Sequence, residues 1–458
     1  MTEAITIKRS ALIAACLLML YLGLAAAAGG EPAVEPDGGE PAAESGADRP
    51  ALGLDDCLRV ALERSHDLRV AEYRAGAADA GASRAQAHRL PTVGFSGSYD
   101  FTSEVTTIDL PGVPGFAGRH ITLGDENRYA LALGVQMPVF TGGALTAAAR
   151  AEGAAARAAA YDLEAEKLLV THEVRAAFFR ALGARAGVDV AGAATARLGR
   201  HVRYLKGQLE VGAASREMRV QAEAALAEAQ RRELLAEDAL ATAELALGSL
   251  LGRPGERVAP DGGLDEPLVH DDEIGGAGVG EKPELAAASS RCEQSRERTR
   301  AAKGSLMPSV SAAAAMNYGR PGVDLVQNEW MSWASAGVSV SWTLWDWGAR
   351  RDEVRAAEAA AQALEAQTSE LNRRLENALA VARARLDLAR EGLGVAADRL
   401  ALERQRLELV TGRYDQGMAT ETELLDAQDD LAEADAAHAS SLASLRLAEV
   451  DLIYAIGR

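Results

Sequence analysis

The sequence predicts a mostly α-helical chain with a β-barrel part: long coiled-coil helices plus four transmembrane strands per chain. Three observations predict it. Two proline-free stretches carry heptad seams, two hairpins alternate apolar and polar residues, and the whole arrangement occurs twice in 458 residues.

The composition suits closely packed helices. Apolar residues make up 48% of the chain and aromatics only 4%, and alanine is abundant throughout. Small side chains let helix axes approach. A formal net charge of −19 argues against a nucleic-acid partner, because phosphate contacts need a basic surface.

At the N-terminus, Lys8 and Arg9 precede an apolar run from Ala11 to Ala28 that ends in small residues. Residues 1–28 therefore read as a secretory signal peptide cleaved near Ala28, with an uncleaved membrane anchor as the alternative. Ile13-Ala14-Ala15-Cys16 resembles a lipoprotein cleavage site, but the apolar run mostly follows Cys16 instead of preceding it, so lipidation is the lesser reading. Residues 29–50, acidic and rich in Pro and Gly, read as a disordered linker. Beyond the signal peptide only Cys57 and Cys292 remain, at no metal-like spacing, and they are expected unpaired.

The duplication sets the element order. Leu90-Pro91-Thr92-Val93 returns as Met307-Pro308-Ser309-Val310, 217 positions on. Gly143, Gly212 and Gly252 return as Gly348, Gly417 and Gly457, 205 positions on, so the first hairpin has a loop longer by 12. The first repeat, 51–253, reads as a helix, a β-hairpin over 92–140, a long helix over 144–211 and a return helix over 217–250. An inter-repeat linker occupies 254–283. The second repeat, 284–458, reads as a helix, a hairpin over 309–345, a long helix over 349–416 and a return helix over 422–455.

None of the 14 prolines falls between 139 and 253 or after 321, which is what allows helices of such length. The seam Val170, Val174, Ala177, Ala181, Ala184, Val188, Ala191 is repeated at Leu375, Leu379, Ala382, Leu386, Ala389, Leu393, Ala396. Alternating steps of three and four imply left-handed supercoiled packing. Each return helix is about half as long as its partner, so the helices before the hairpins, about 54–89 and 271–306, must cover the other half.

In the hairpins the period is two. Ala334, Ala336, Val338, Val340, Trp342 and Leu344 alternate with Ser335, Gly337, Ser339, Ser341 and Thr343. Tyr129, Leu131, Leu133, Val135, Met137 and Val139 alternate with smaller or polar residues, as do Val93, Phe95, Tyr99 and Phe101. Apolar-out and small-polar-in over about ten residues is the pattern of a transmembrane barrel strand. All five tryptophans lie in the second hairpin: Trp330 and Trp333 are expected at the outer membrane interface, and Trp342, Trp345 and Trp347 at the inner. Four strands cannot close a barrel in lipid, so the chain must oligomerise; two, three or four copies are all physically allowed.

These residues resemble the TolC family of outer-membrane factors, most specifically in the Leu-Pro before the first strand, Val-Phe-Thr-Gly-Gly (139–143), Val-Gly-Ala-Ala-Ser (211–215) and Asp-Gln-Gly-Met-Ala-Thr (415–420). The resemblance covers both repeats. It implies a TolC-like trimeric α/β-barrel, with a 12-strand barrel in the outer membrane of a Gram-negative-type cell and a 12-helix tube crossing the periplasm. It also implies an exit duct for tripartite efflux or type I secretion, working with a periplasmic adaptor (membrane fusion protein) and an inner-membrane transporter. The adaptor-contact turns would be Gly212, Ala213 and Ala214 with Gly417, Met418 and Ala419. The pore constriction would be Glu423 and Asp426, with Asp430 and Glu433 extending the same face, and mutual repulsion raising the carboxylate pKa values. Ala419 stands where the family often has a basic residue that ties the tip shut, so this sequence departs from the family's pattern at that contact.

No phosphate loop, His-Glu-x-x-His, Cys-x-x-Cys or Gly-x-Ser-x-Gly motif occurs, and the seven histidines stand singly. No enzyme activity, cofactor or metal is expected. The alternative function is a soluble periplasmic coiled-coil scaffold or adaptor, which would explain the helices but not the duplicated strands.

Overall fold

The computed structural model describes residues 51–110, 119–268, 278, 282–324 and 326–458. The signal peptide and the 29–50 linker lie outside the described residues, as does part of the inter-repeat linker. Everything below concerns the unit Arg49–Arg458.

Chain order is β1 (Ala51–Leu52), α1 (Leu54–Arg64), α2 (His66–Ala87), β2 (Thr92–Phe101), β3 (Thr106–Leu110), β4 (Arg119–Leu123), β5 (Asn127–Phe140), α3 (Ala144–Glu210) and α4 (Arg216–Leu250). After β6 (Ala259–Pro260) the second repeat supplies α5 (Pro283–Gly304), β7 (Ser309–Arg320), β8 (Met331–Ser341), α6 (Ala349–Asp415) and α7 (Glu421–Ile456). The long helices α3 and α6 have 67 residues each, about 100 Å at 1.5 Å per residue.

Each long helix is flanked by two shorter ones laid end to end, as their lengths require. Near the sheet the lateral order is α2, α3, α5, α6; away from it the order is α4, α3, α7, α6. Ion pairs Arg157–Glu293 and Arg291–Asp162 join α3 to α5, and Arg296–Glu365 and Lys303–Glu358 join α5 to α6. These bonds are exposed and set register more than stability. The heptad seams are the packing surfaces. Leu379, Ala382 and Leu386 of α6 bury against Leu445, Ala448 and Leu452 of α7, and Leu400 buries against Leu431 and Ala434.

One expectation changes. The segment 54–89 is two helices: Ser65 ends α1 and its hydroxyl accepts from Leu68 N (3.2 Å), capping α2. The break lets α1 pack across the middle of α3, where Cys57 and Ala61 join Val174, Phe178 and Leu182 in the main core. The inter-repeat linker is, up to residue 268, part of that same core. Val258 and Leu264 are buried in it, β6 pairs in parallel with β1, and buried Arg446 of α7 donates to Leu264 O (2.8 Å). Cys57 and Cys292 are both buried and free, as expected.

The sheet order is β2-β5-β7-β8, all antiparallel. Its register puts Phe95, Leu133, Met316 and Ala334 in one row and Val135, Ala314 and Ala336 in the next, so the apolar faces of all four strands coincide. The alternation in β5 does not run to its end. A bulge between Pro138 and Phe140 makes Val139 the extra residue and returns Phe140 to the row of Val310. Proline lacks the ladder donor, and a bulge is where a strand accommodates it.

Candidate functional site: the membrane sheet and the tip

The sheet joins the helices through tight turns. Gly142 and Gly143 have φ of 60° and 83°, and a Cβ on Gly142 would collide with Met307 and the carbonyl of Gly304, so only glycine fits. In the second repeat the matching position is Trp347, the one non-glycine residue with positive φ (59°) among the described residues. Its indole is 88% exposed and meets Trp345 edge-on at 5.7 Å, while Trp342 donates to Leu306 O at 3.2 Å. All three lie where β8 passes into α6, at the helix end of the sheet.

At the far end, Trp330 stacks on Tyr318 (5.0 Å) and lies 5.7 Å from Tyr129, which in turn lies 5.0 Å from Tyr99. These rings form one aromatic patch on the apolar face, from β2 across β5 and β7 to the residue just before β8; Tyr99 stands opposite Tyr129, while Tyr318 stands opposite Leu131, one row nearer the helices. The sequence pointed only to the tryptophan; the three tyrosines reach it because of how the strands are paired. Trp333 does not belong to this patch. It pairs with Asn317 and shares the face of Ser335 and Ser339, so its assignment to a lipid interface is corrected by strand parity. On the apolar face Phe95, Leu133, Val338 and Val340 are 66%, 54%, 70% and 67% exposed. A contiguous apolar band of this kind, ending in aromatic groups, belongs in hydrocarbon. Among the described residues no helix is long and apolar enough to cross a membrane.

At the opposite end of the rods lie the two tip turns. Gly212 (φ 76°) and Gly417 (φ 72°) end α3 and α6 in the same way: Ala213 N donates to Gln208 O and Met418 N to Arg413 O, both at 2.8 Å. These are Schellman closures, which need a left-handed residue at the glycine. Ser215 and Thr420 then cap α4 and α7. Gly212, Ala213, Gly417 and Met418 are exposed, while Ala214 and Ala419 are half-buried. Arg413 donates to Met418 O (3.2 Å) and braces the second turn in the place of the absent basic residue at 419.

The four acidic residues expected on the constriction face have different surroundings. Glu423 closes a capping box: its carboxylate accepts from Thr420 N (2.8 Å) while Thr420 Oγ1 accepts from Glu423 N (3.2 Å). The Thr420 N–H, helped by Arg413, holds the Glu423 carboxyl below its ordinary range, opposite in direction to the expected rise. Asp430 pairs with Arg406 of α6, and Glu433 with Arg399 (3.0 Å). Asp426 is exposed and has no ion pair or hydrogen bond among the described residues. Sequence spacing put these carboxylates on one helix face, but α6 meets the lower part of that face with arginines.

Because the Glu423 pKa is lower in the folded chain, its contribution to the cap is present above the unfolded pKa and lost as pH falls through the folded one. Amide exchange at 421–424 is expected to quicken, after correction for intrinsic rates, as pH drops below the usual carboxylate range near about 4.3. Glu423→Ala should abolish that pH response.

A sheet with one face for lipid and one for water, carried on rods about 100 Å long, defines a membrane-channel subunit with a long stem. The sequence matches the outer membrane efflux protein family over residues 57–253 and 279–458, and the chain belongs to that family. It is an outer-membrane channel protein, an exit duct that extends into the periplasm, which sets aside the soluble scaffold reading. Among solved structures the fold is similar to the outer membrane protein VceC from Vibrio cholerae, with TM-score 0.74 and 19% identity over 88% of this chain and 96% of that one. It is likewise similar to the outer-membrane channel OprN, with TM-score 0.75 and 22% identity over 88% and 89% of the two chains. The open state of the Neisseria gonorrhoeae MtrE outer membrane channel gives TM-score 0.72 and 20% identity over 88% of each chain. No curated protein sequence matches this one.

Proposed function

We propose that three copies close head to tail into one passive conduit, which receives cargo from an inner-membrane transporter through a periplasmic adaptor, in tripartite efflux or type I secretion. The observation that carries this is the apolar surface left on the outermost elements of the single chain. On α6, Val381, Leu388, Val395, Leu402 and Leu409 recur every seven residues and are 41–71% exposed. At 100° per residue they lie about 140° from the seam that faces α7. On α4, Val220, Leu234 and Leu245 are exposed on the side opposite α3.

A layer whose two edge helices both carry outward apolar stripes is complete only when the next copy covers them. The strands agree with this, since an edge β8 running antiparallel to β7 meets a neighbour's β2 in antiparallel sense. Four strands and four helices per level, taken three times, give a twelve-strand barrel above a twelve-helix tube. The polar strand face then lines the bore, and the aromatic patch around Trp330 and the Trp342, Trp345 and Trp347 group flank the lipid. The turns around Gly212, Ala213, Ala214, Gly417, Met418 and Ala419 are the exposed surface offered to the adaptor, and Asp426 is the uncommitted charge at the constriction.

Purified protein in planar bilayers tests the reading. Wild type is expected to conduct with a cation preference, and Asp426→Ala to lose most of it. Asp430→Ala should change selectivity less, because Arg406 already neutralises that carboxylate. A protein that stays monomeric and stable without detergent would overturn the proposal.

A further inference from the structure

Strand parity leaves a single aromatic ring on the polar face of the four-stranded sheet. Trp333 of β8 stands opposite Asn317 of β7, in the row of Ala132 and Ser96, while every other aromatic residue within the four strands points to the apolar face. Around it on the polar face lie Ala130, Ala315 and Ser335, all much smaller. Gly319 forms the floor of its seat. A Cβ there would come 3.5 Å from the indole and 2.7 Å from the Tyr129 carbonyl, so the ring leans over bare backbone.

The indole is half-buried, and part of it stays open to the polar side. Among the described residues it meets no other ring, and its N–H has no hydrogen-bond partner, whereas the N–H of Trp342 donates to Leu306 O. The duplicated scaffold does not require a ring at this place. The matching position of the first repeat, 205 residues earlier, is Arg128, which stands opposite Asp100.

We propose that Trp333 is a subsite in the bore for flat aromatic cations, one in each copy, near the outer mouth. The inference rests on the duct reading and adds a cargo class to it. An indole face carries negative quadrupole density, so a cation within about 6 Å of the ring centre is attracted. A flat partner also stacks, and stacking covers ring surface that water would otherwise wet. A chain of net charge −19 raises the local concentration of cations and lowers that of anions. The nearest bore-facing charges on the sheet, Asp100 and Arg128, oppose each other two rows nearer the mouth and largely cancel, which leaves the ring to discriminate. Three-fold symmetry would set the rings on separate parts of the wall, so each acts alone. One stacking contact delays a molecule without trapping it, as a passive conduit requires.

The test is single-channel recording of the full chain in planar bilayers, with trimer content checked on the same samples and N-methylacridinium added as the probe. Wild type is expected to show brief blockades. Trp333→Leu should shorten their dwell time by roughly tenfold, the size of one stacking contact with a cation. Trp333→Phe, which keeps a smaller ring, should shorten it less, and it serves if the leucine variant assembles poorly. Asp426→Ala should make blockades rarer while keeping their duration. Tetraethylammonium, charged but not flat, and anthracene carboxylate, flat but negative, should show no dwell that depends on Trp333. Blockades of equal length in wild type and both Trp333 variants overturn the subsite, as does a conducting wild type that the probe never blocks. Blockades whose duration follows Asp426 instead of Trp333 overturn it too. A Trp333-dependent dwell for anthracene carboxylate overturns the cation class. A protein that conducts in no variant overturns the duct reading and the subsite together.

Discussion

Leu388→Glu combined with Leu402→Glu is expected to leave a helical, soluble-in-detergent chain that no longer forms an oligomer. Both leucines are far more exposed than the seam residues beside them, at 69% and 64%, and both face away from α7. Covering a leucine contributes about 1.5–3 kcal/mol. A glutamate at the same place must also be desolvated without a partner, which costs several kcal/mol. The loss repeats at each junction of a ring, so a closed trimer should vanish instead of weakening. Sizing in detergent and mobility before and after heating measure this. Ala397→Glu, on an exposed part of α6 more than a third of a turn from the stripe, is the control and should assemble. If the double variant assembles like wild type, the stripe is not the junction between copies.

The second large effect concerns strand parity. Val338→Arg is expected to block stable insertion, because an arginine on the lipid face near the middle of a barrel costs about 2–4 kcal/mol per chain. Ser339→Arg, one residue on, should insert. Its side chain starts beside Ser311, with which the Ser339 hydroxyl shares a 2.7 Å hydrogen bond, on the face turned to water. It should instead shift ion preference toward anions. Urea unfolding in lipid, together with conductance, separates the two outcomes. Equal tolerance of both arginines would mean that neither face of β8 meets hydrocarbon.

Much of the architecture was legible from periodicity. The 67-residue helices, their seams at Leu379, Ala382 and Leu386, the four strands and the offset between repeats are local patterns, and the turns at Gly212 and Gly417 announce themselves by residue type. The candidate sites were legible only in part. Trp333 could have been placed on the polar face from its odd position among Ser335, Gly337 and Ser339; the concentration of tryptophans drew it to the wrong group. Tyr99, Tyr129 and Tyr318 gave no such signal, since their alignment with Trp330 depends on how four strands slide past one another.

What the sequence by itself determined is everything fixed within one turn or one strand: helix, strand, cap and the face each side chain takes. Tertiary structure decided which charges are spoken for. Glu423 bends back to its own cap, Asp430 meets Arg406, His201 reaches across 220 positions to Glu421, and Val258 and Leu264 of the linker between the repeats join the core. The physical reason is range: a period of two or seven is written in neighbouring residues, whereas an ion pair between helices depends on the axial register of two rods, which only their packing sets.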